Sequence, residues 1–221
     1  AHAFDYLLTC CKDVPEVIAE AKKIHLLEKI GDEESSPNHF FFMDKEGNKV
    51  VLEPTDGKLI AYDNPYGVLT NAPEFPWHTT NLKNYLHLKP ENTHEGFYNG
   101  NKIFQLGEGT GMLGLPGDFT PPSRFVRAAY YVSNTDKNLE RKVAILQGFR
   151  ILSQFDIPEG SIIDPVENYQ DETLYTSIMD TEKLAYLMKC HTNIDVQKFY
   201  LDDFVHETKV TFISLKKDMD L

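Results

Sequence analysis

Long apolar runs are missing from this chain. Nowhere do about 18 apolar residues follow one another, the length a helix needs to cross a bilayer, so no membrane partner is expected. Positive charge is scarce too. Lys and Arg total 22 against 34 Asp and Glu, a formal net charge of −12. A nucleic-acid binder needs a basic stripe to neutralise phosphates. None is present, and no nucleic acid is expected as a partner. The opening residues Ala1-His2-Ala3-Phe4 offer no basic region ahead of an apolar stretch, so they do not read as a secretory signal. Cysteine is rare: Cys10, Cys11 and Cys190. An odd count without regular spacing argues against a disulfide framework and predicts a reducing, cytoplasmic setting. CxxC, HExxH and EF-hand spacings do not occur, so neither a built-in metal site nor a cofactor is expected.

What is present is enough apolar material for a sizeable core. Of 221 residues, 41% are hydrophobic and 12% aromatic, which excludes a disordered chain. Phe4, Leu7, Leu8 and Cys11 recur at helical spacing. A second helix should start at Asp13, with Glu16 three residues on as in a capping box and Pro15 tolerated in the first turn. The period then changes to short strand-like runs over 39–44, 49–53 and 58–63. They are separated by Glu46-Gly47-Asn48 and by Asp56-Gly57, and the latter is a hairpin signal. Residues 68–71 read as a fourth short strand, and 77–88 as a helix. Residues 96–122 read as glycine-rich and irregular. Helices are expected over 123–133 and 137–155, then strands within 173–190, 197–204 and 209–215. Helices, sheet, helices, sheet is an α+β order with antiparallel strands, not a βαβ alternation.

Several motifs carry candidate chemistry. Gly109-Thr-Gly111-Met-Leu-Gly114 matches GxGxxG. A dinucleotide fingerprint must open a helix after a strand. Pro116, Gly117, Pro121 and Pro122 follow, which favours a long loop with positive φ angles instead. Asp118, Arg124 and Arg127 cluster behind that loop. Ser123 is placed to cap the helix. Arg124 either pairs with an acid such as Asp118 or points at a site, because an arginine opposes the dipole at a helix start. Arg127, one turn on, reads as structural. Asn71 either forms a turn through local hydrogen bonds or aims an amide N–H at a developing oxyanion. Trp77 reads as core or pocket wall, and His78 as a hydrogen-bonded helix residue. One of Cys10 and Cys11 should face the core. Neither of them, nor Cys190, sits where a thiol is activated.

Three segments together resemble the choloylglycine hydrolase / penicillin V acylase family of N-terminal nucleophile hydrolases. They are Gly67-Val-Leu-Thr-Asn-Ala-Pro-Glu-Phe75, Trp77-His-Thr-Thr-Asn-Leu-Lys-Asn-Tyr85 and Gly114-Leu-Pro-Gly-Asp-Phe-Thr-Pro-Pro-Ser-Arg-Phe-Val-Arg127, with Tyr175-Thr-Ser177 in support. The resemblance runs from about Phe4 to near the end of the chain. It implies an αββα sandwich and hydrolysis of a non-peptide amide C–N bond in a small-molecule substrate. The implied nucleophile is a cysteine freed at a mature N-terminus, with its own α-amino group as base. By the same resemblance Asn71 matches the family's oxyanion-hole asparagine. Arg124 matches the arginine that supports the charge network around the nucleophile. Asp118 and Asn81 lie in matching segments without an assigned role. A homo-oligomer, often a tetramer, is expected.

This sequence departs from the family at its start. Members open with Met-Cys-Thr and carry an arginine and an aspartate close behind. Here the first residues resemble the family's first long helix. The expectation is a single domain over residues 1–221 that corresponds to the C-terminal two-thirds of the family fold, without its N-terminal strands. The Asp118–Arg124 wording looks more like the penicillin V acylase side than the bile salt side. The alternative to an enzyme is a non-catalytic remnant or binding subunit of the same family.

Overall fold

In the computed structural model, the described residues are 2–26, 29–30, 33–34, 38–216 and 219. They form two compact units, Ala1–Thr135 and Asp136–Leu221. The α+β character expected from sequence is present in both, and every strand pair is antiparallel.

The first unit opens with helices α1 (His2–Cys10) and α2 (Val14–Ala21). Asp13 caps α2 by accepting the Glu16 N–H at 3.0 Å. Glu16 reaches back to the Lys12 N–H (3.0 Å), one residue before the position a capping box prescribes. A short ribbon follows, β1 (Lys29–Ile30) with β2 (Glu33–Glu34). The central sheet of the unit has the order β3 (Phe40–Met43), β4 (Lys49–Thr55), β5 (Lys58–Asp63). Asp56 and Gly57 link β4 to β5 with both φ angles positive, +48° and +72°. That is the two-residue turn whose twist matches its strands.

Strand β4 is covered on both faces. Val50 and Leu52 pack with Leu7, Val14, Val17 and Ala21 of the first two helices. Val51 faces the other way, against Val68, Phe75, Phe125 and Ala129. Those last three belong to α3 (Phe75–Asn81) and α4 (Pro121–Ser133). Alternate residues of one strand thus hold a helix layer on each side. Between α3 and α4 runs the hairpin β6 (Glu95–Tyr98), β7 (Asn101–Phe104). The glycine-rich composition of 96–122 predicts an irregular stretch here. Asn99-Gly100 nevertheless turns the chain with φ +48° and +79°.

The second unit has helix α5 (Arg141–Leu152), a ribbon β8 (Ile162–Asp164), β9 (Tyr169–Asp171), and a sheet of β10 (Tyr175–Asp180), β11 (Ala185–Cys190), β12 (Asn193–Tyr200). Phe149 of α5 packs on Ala185 and Leu187 of β11.

Three expected strands differ. Residues 68–71 form none, because Asn64 and Gly67 turn the chain out of the sheet just before them. The strand expected within 197–204 runs Asn193–Tyr200 and ends in a 3-10 turn. Residues 209–215 carry a strand-like pattern but form no ladder.

Candidate active site

Past Asp63 the chain leaves the central sheet through Asn64, which is fully buried. Its Oδ1 accepts the Gly67 N–H at 3.0 Å and its Nδ2 donates to the Val68 carbonyl at 3.1 Å. Gly67, at φ +65°, supplies the left-handed step. Val68 then drops into the core, Thr70 stays half-buried and Asn71 reaches the surface. The Thr70 hydroxyl donates to the Pro121 carbonyl at 3.1 Å, tying this segment to the start of α4.

Helix α4 is approached through the glycine-rich loop. Gly109 and Gly114 adopt φ +89° and +90°, and residues 110–112 make only a 3-10 turn. The loop therefore lacks the strand–turn–helix setting of a dinucleotide fingerprint. Two prolines, Pro121 and Pro122, open α4 and make Thr120 its first flanking residue. The helix starts earlier than Ser123, so Ser123 is no cap. Its hydroxyl donates to Asp118 Oδ2 at 2.7 Å. Asp118 also accepts from the Thr120 N–H (2.9 Å) and the Thr120 hydroxyl (2.5 Å). These donors, the two hydroxyls foremost, pull its carboxyl down to about 2.

Arg124 bonds to two neighbouring segments among the described residues. Its Nε donates to the Phe119 carbonyl at 2.9 Å and one terminal nitrogen donates to Asn71 Oδ1 at 2.6 Å. Asn71 and Arg124, the two residues singled out as site candidates, are thus brought together. Because the Asn71 oxygen faces a cation that can only donate, its Nδ2 becomes the outward end of the amide. The observed partners of the Asp118 carboxylate are hydroxyls and a backbone N–H, and the acceptor described for an Arg124 terminal nitrogen is Asn71. Arg127 is buried and donates to the Pro116 and Asp118 carbonyls at 2.8 and 2.6 Å. It pins the loop, a structural role, and burial lowers its pKa from the usual arginine value.

Two residues at this site were not singled out for it by sequence. His78 is fully buried. Its ring stacks on Phe125 at 4.8 Å, and its Nε2 lies 2.8 Å from the Asn71 carbonyl. Glu53, buried on β4, accepts the Phe75 N–H at 2.9 Å and contacts His39 Nδ1 at 3.2 Å. A glutamate inside Val-Val-Leu-Glu was the available signal, since a buried carboxylate must have donors. Trp77, read as core or pocket wall, is 44% exposed, so the core reading is corrected. Asn81 accepts from Asn84 Nδ2 at 3.3 Å.

Of the cysteines in this unit, Cys11 packs against the α1–α2 core and Cys10 is exposed, as the helical spacing predicts. Burial pushes the Cys11 thiol up, away from the thiolate a nucleophile needs. Among the described residues no three His, Cys, Asp or Glu side chains come together as a metal site. Likewise, no helix there is long and apolar enough to cross a membrane.

A family model described as linear amide C–N hydrolases, choloylglycine hydrolase family, matches residues 2–209. The chain belongs to the choloylglycine hydrolase family. A bile salt hydrolase/transferase of Clostridium perfringens is 38% identical over 195 residues, 85% of this chain and 59% of the relative. A solved conjugated bile acid hydrolase, also from C. perfringens, superposes with a TM-score of 0.82 at 30% identity, covering 96% of this chain and 65% of that one. A penicillin V acylase of Pectobacterium atrosepticum is 25% identical over 177 residues, 74% of this chain and 41% of the relative. This family member thus spans about three-fifths of the length of the bile salt hydrolase/transferase that it matches.

Proposed function

We infer that this chain carries the charge-stabilising part of a site for hydrolysing a linear amide C–N bond. In this reading Asn71 Nδ2 donates to the oxyanion that forms when a thiolate attacks the amide carbon. Arg124 holds the Asn71 oxygen and adds positive charge beside the developing negative charge. Collapse of the tetrahedral intermediate expels the amine, which takes a proton, and leaves a thioester. Water then releases the acid and restores the thiol. The nucleophile is taken from the family resemblance, a cysteine at a mature N-terminus whose α-amino group is the base. The single observation that supports the reading is the 2.6 Å bond from Arg124 to Asn71 Oδ1, which leaves the amide N–H₂ as the outward end.

The acyl side is proposed to be of the conjugated bile salt kind. The relative at 38% identity is named a bile salt hydrolase/transferase, whereas the penicillin V acylase stands at 25%. The wording of residues 118–124 suggested the penicillin V side, and these relatives do not support that preference. The second reading is a non-catalytic remnant. It draws on the cysteines, since Cys11 is pushed toward the thiol form and Cys10 ends a helix rather than beginning one.

The experiment is to incubate the folded protein with a glycine-conjugated bile salt and, separately, with penicillin V, and to follow release of the free amine. Release from the bile salt alone supports the proposed branch. Release from penicillin V alone overturns the branch but keeps the reaction. No release from either favours the remnant.

A further inference from the structure

His78 is an unusual choice for the slot it fills. The ring is fully buried and lies flat on Phe125, 4.8 Å between centres and 11° between planes. An apolar ring would suit that slot. A buried imidazole is disfavoured there unless its nitrogens are satisfied, and Nδ1 has no hydrogen-bond partner among the described residues. What the imidazole makes is directed at a single segment. Nε2 lies 2.8 Å from the Asn71 carbonyl oxygen and 3.4 Å from Thr70 Oγ1.

Those two neighbours fix the tautomer. The carbonyl can only accept. The Thr70 hydroxyl gives its one proton to the Pro121 carbonyl at 3.1 Å, so toward His78 it too can only accept. Nε2 therefore carries a ring proton and donates, while Nδ1 is the buried nitrogen without a partner among the described residues.

We propose that His78 is a positioning residue for Asn71. The Nε2–H holds the Asn71 main-chain carbonyl from α3, while Arg124 holds the Asn71 side-chain oxygen from α4. Two independent restraints, one on backbone and one on side chain, leave the Asn71 amide a single direction in which to present Nδ2. His78 touches no substrate and acts through Asn71. The inference rests on the oxyanion reading of Asn71 given above.

The test labels the histidine rings and asparagine amides of the protein with ¹⁵N and compares it with His78→Phe, His78→Gln and Asn71→Ala. The Asn71→Ala spectrum identifies the Asn71 side-chain amide signal. The expected results are a His78 ring protonated on Nε2, an Asn71 amide signal shifted or broadened in folded His78→Phe, and its return in His78→Gln, whose amide donor can reach the same carbonyl. Where amine release is measured, His78→Phe lowers kcat by about ten- to a hundredfold with little change in KM, and His78→Gln regains most of it. An unprotonated Nε2, or an unmoved Asn71 signal in folded His78→Phe, overturns the proposal. Should His78→Phe fail to fold, the wild-type tautomer and the Asn71 signal in His78→Gln decide in the same terms. An active protein in which Asn71→Ala keeps its kcat overturns the oxyanion reading, while the tautomer and the amide signal still decide whether His78 holds Asn71.

Discussion

Arg124 donates to the side-chain oxygen of Asn71 at 2.6 Å although the two residues stand 53 positions apart in the chain. The bond removes the ambiguity of an asparagine amide, whose two ends are nearly the same size, by giving one end to a cation. On the proposed oxyanion reading, Asn71→Ala should lower kcat for amine release by about 10²–10³-fold with KM little altered, the usual loss for one oxyanion donor. Steady-state kinetics on a glycine-conjugated bile salt checks this. On the same reading Arg124→Lys should also lower kcat, since a single ammonium nitrogen does not reproduce the two spaced guanidinium nitrogens that hold Phe119 and Asn71. A wild-type rate in either variant removes that residue from the reaction.

The loop before α4 depends on an ionised Asp118. Its folded-state value of about 2 lies below the ordinary 3.8. A lowered carboxyl contributes stability that is complete above the ordinary value and is lost as pH falls toward the folded one. Asp118→Asn should therefore melt below the parent at neutral pH, with the gap closing between pH 3.8 and about 2. Melting curves across that range test the sign. A gap that widens on acidification contradicts the assignment.

Gly111 marks a close backbone approach. A Cβ there would lie 2.3 Å from both the Lys89 and Glu91 carbonyl oxygens, whereas at Gly117 it would meet nothing within 4 Å. Gly111→Ala should cost about 1–3 kcal/mol by overpacking, and Gly117→Ala close to nothing. Denaturant titration of the pair separates tightness from glycine content. Equal effects would mean the approach is looser than described.

In the second unit Asp180 is buried and accepts from Arg141 Nε at 2.7 Å. Its other oxygen takes the Glu182 and Lys183 N–H groups at 3.1 and 3.3 Å, which shapes the turn between β10 and β11. The arginine holds this carboxyl below its usual range. Arg141→Ala leaves the buried carboxylate uncompensated and should lower the melting temperature by several degrees. The double change Arg141→Met, Asp180→Asn should recover part of it, because no unpaired charge remains. A double variant that melts lower than Arg141→Ala argues against this account.

Local signals in the sequence were legible and distant ones were not. Asp13 capping α2 and Asp56-Gly57 turning β4 into β5 follow from neighbours in the chain. Asn99-Gly100 carried the same kind of turn signal but was masked by Gly96 and Gly107 around it. Residues 68–71 looked like a strand because Val and Leu head them, yet strand formation needs a partner, and Asn64 turns the chain away from one. The residues left the roles of Asn71 and Arg124 open and the family resemblance assigned them, while the bond between the two was not foreseen, since spacing says nothing about a contact across 53 residues. For His78, sequence pointed to a hydrogen-bonded helix residue. Its complete burial and its hold on Asn71 required the fold.

The double coating of β4 has a consequence for how the strand finds its place. A strand with one wet face cannot slide by one residue, because the slip would send its apolar side chains into water. Val50, Val51 and Leu52 are buried alike, so solvent offers β4 no such guidance. Glu53 supplies it. In the observed pairing its carboxylate meets the Phe75 N–H and His39. Displaced by one position, it would enter the oily layer beneath α1 and α2 with no donor to receive it. The one charge buried in the strand is thus the index mark that tells β4 where to stop.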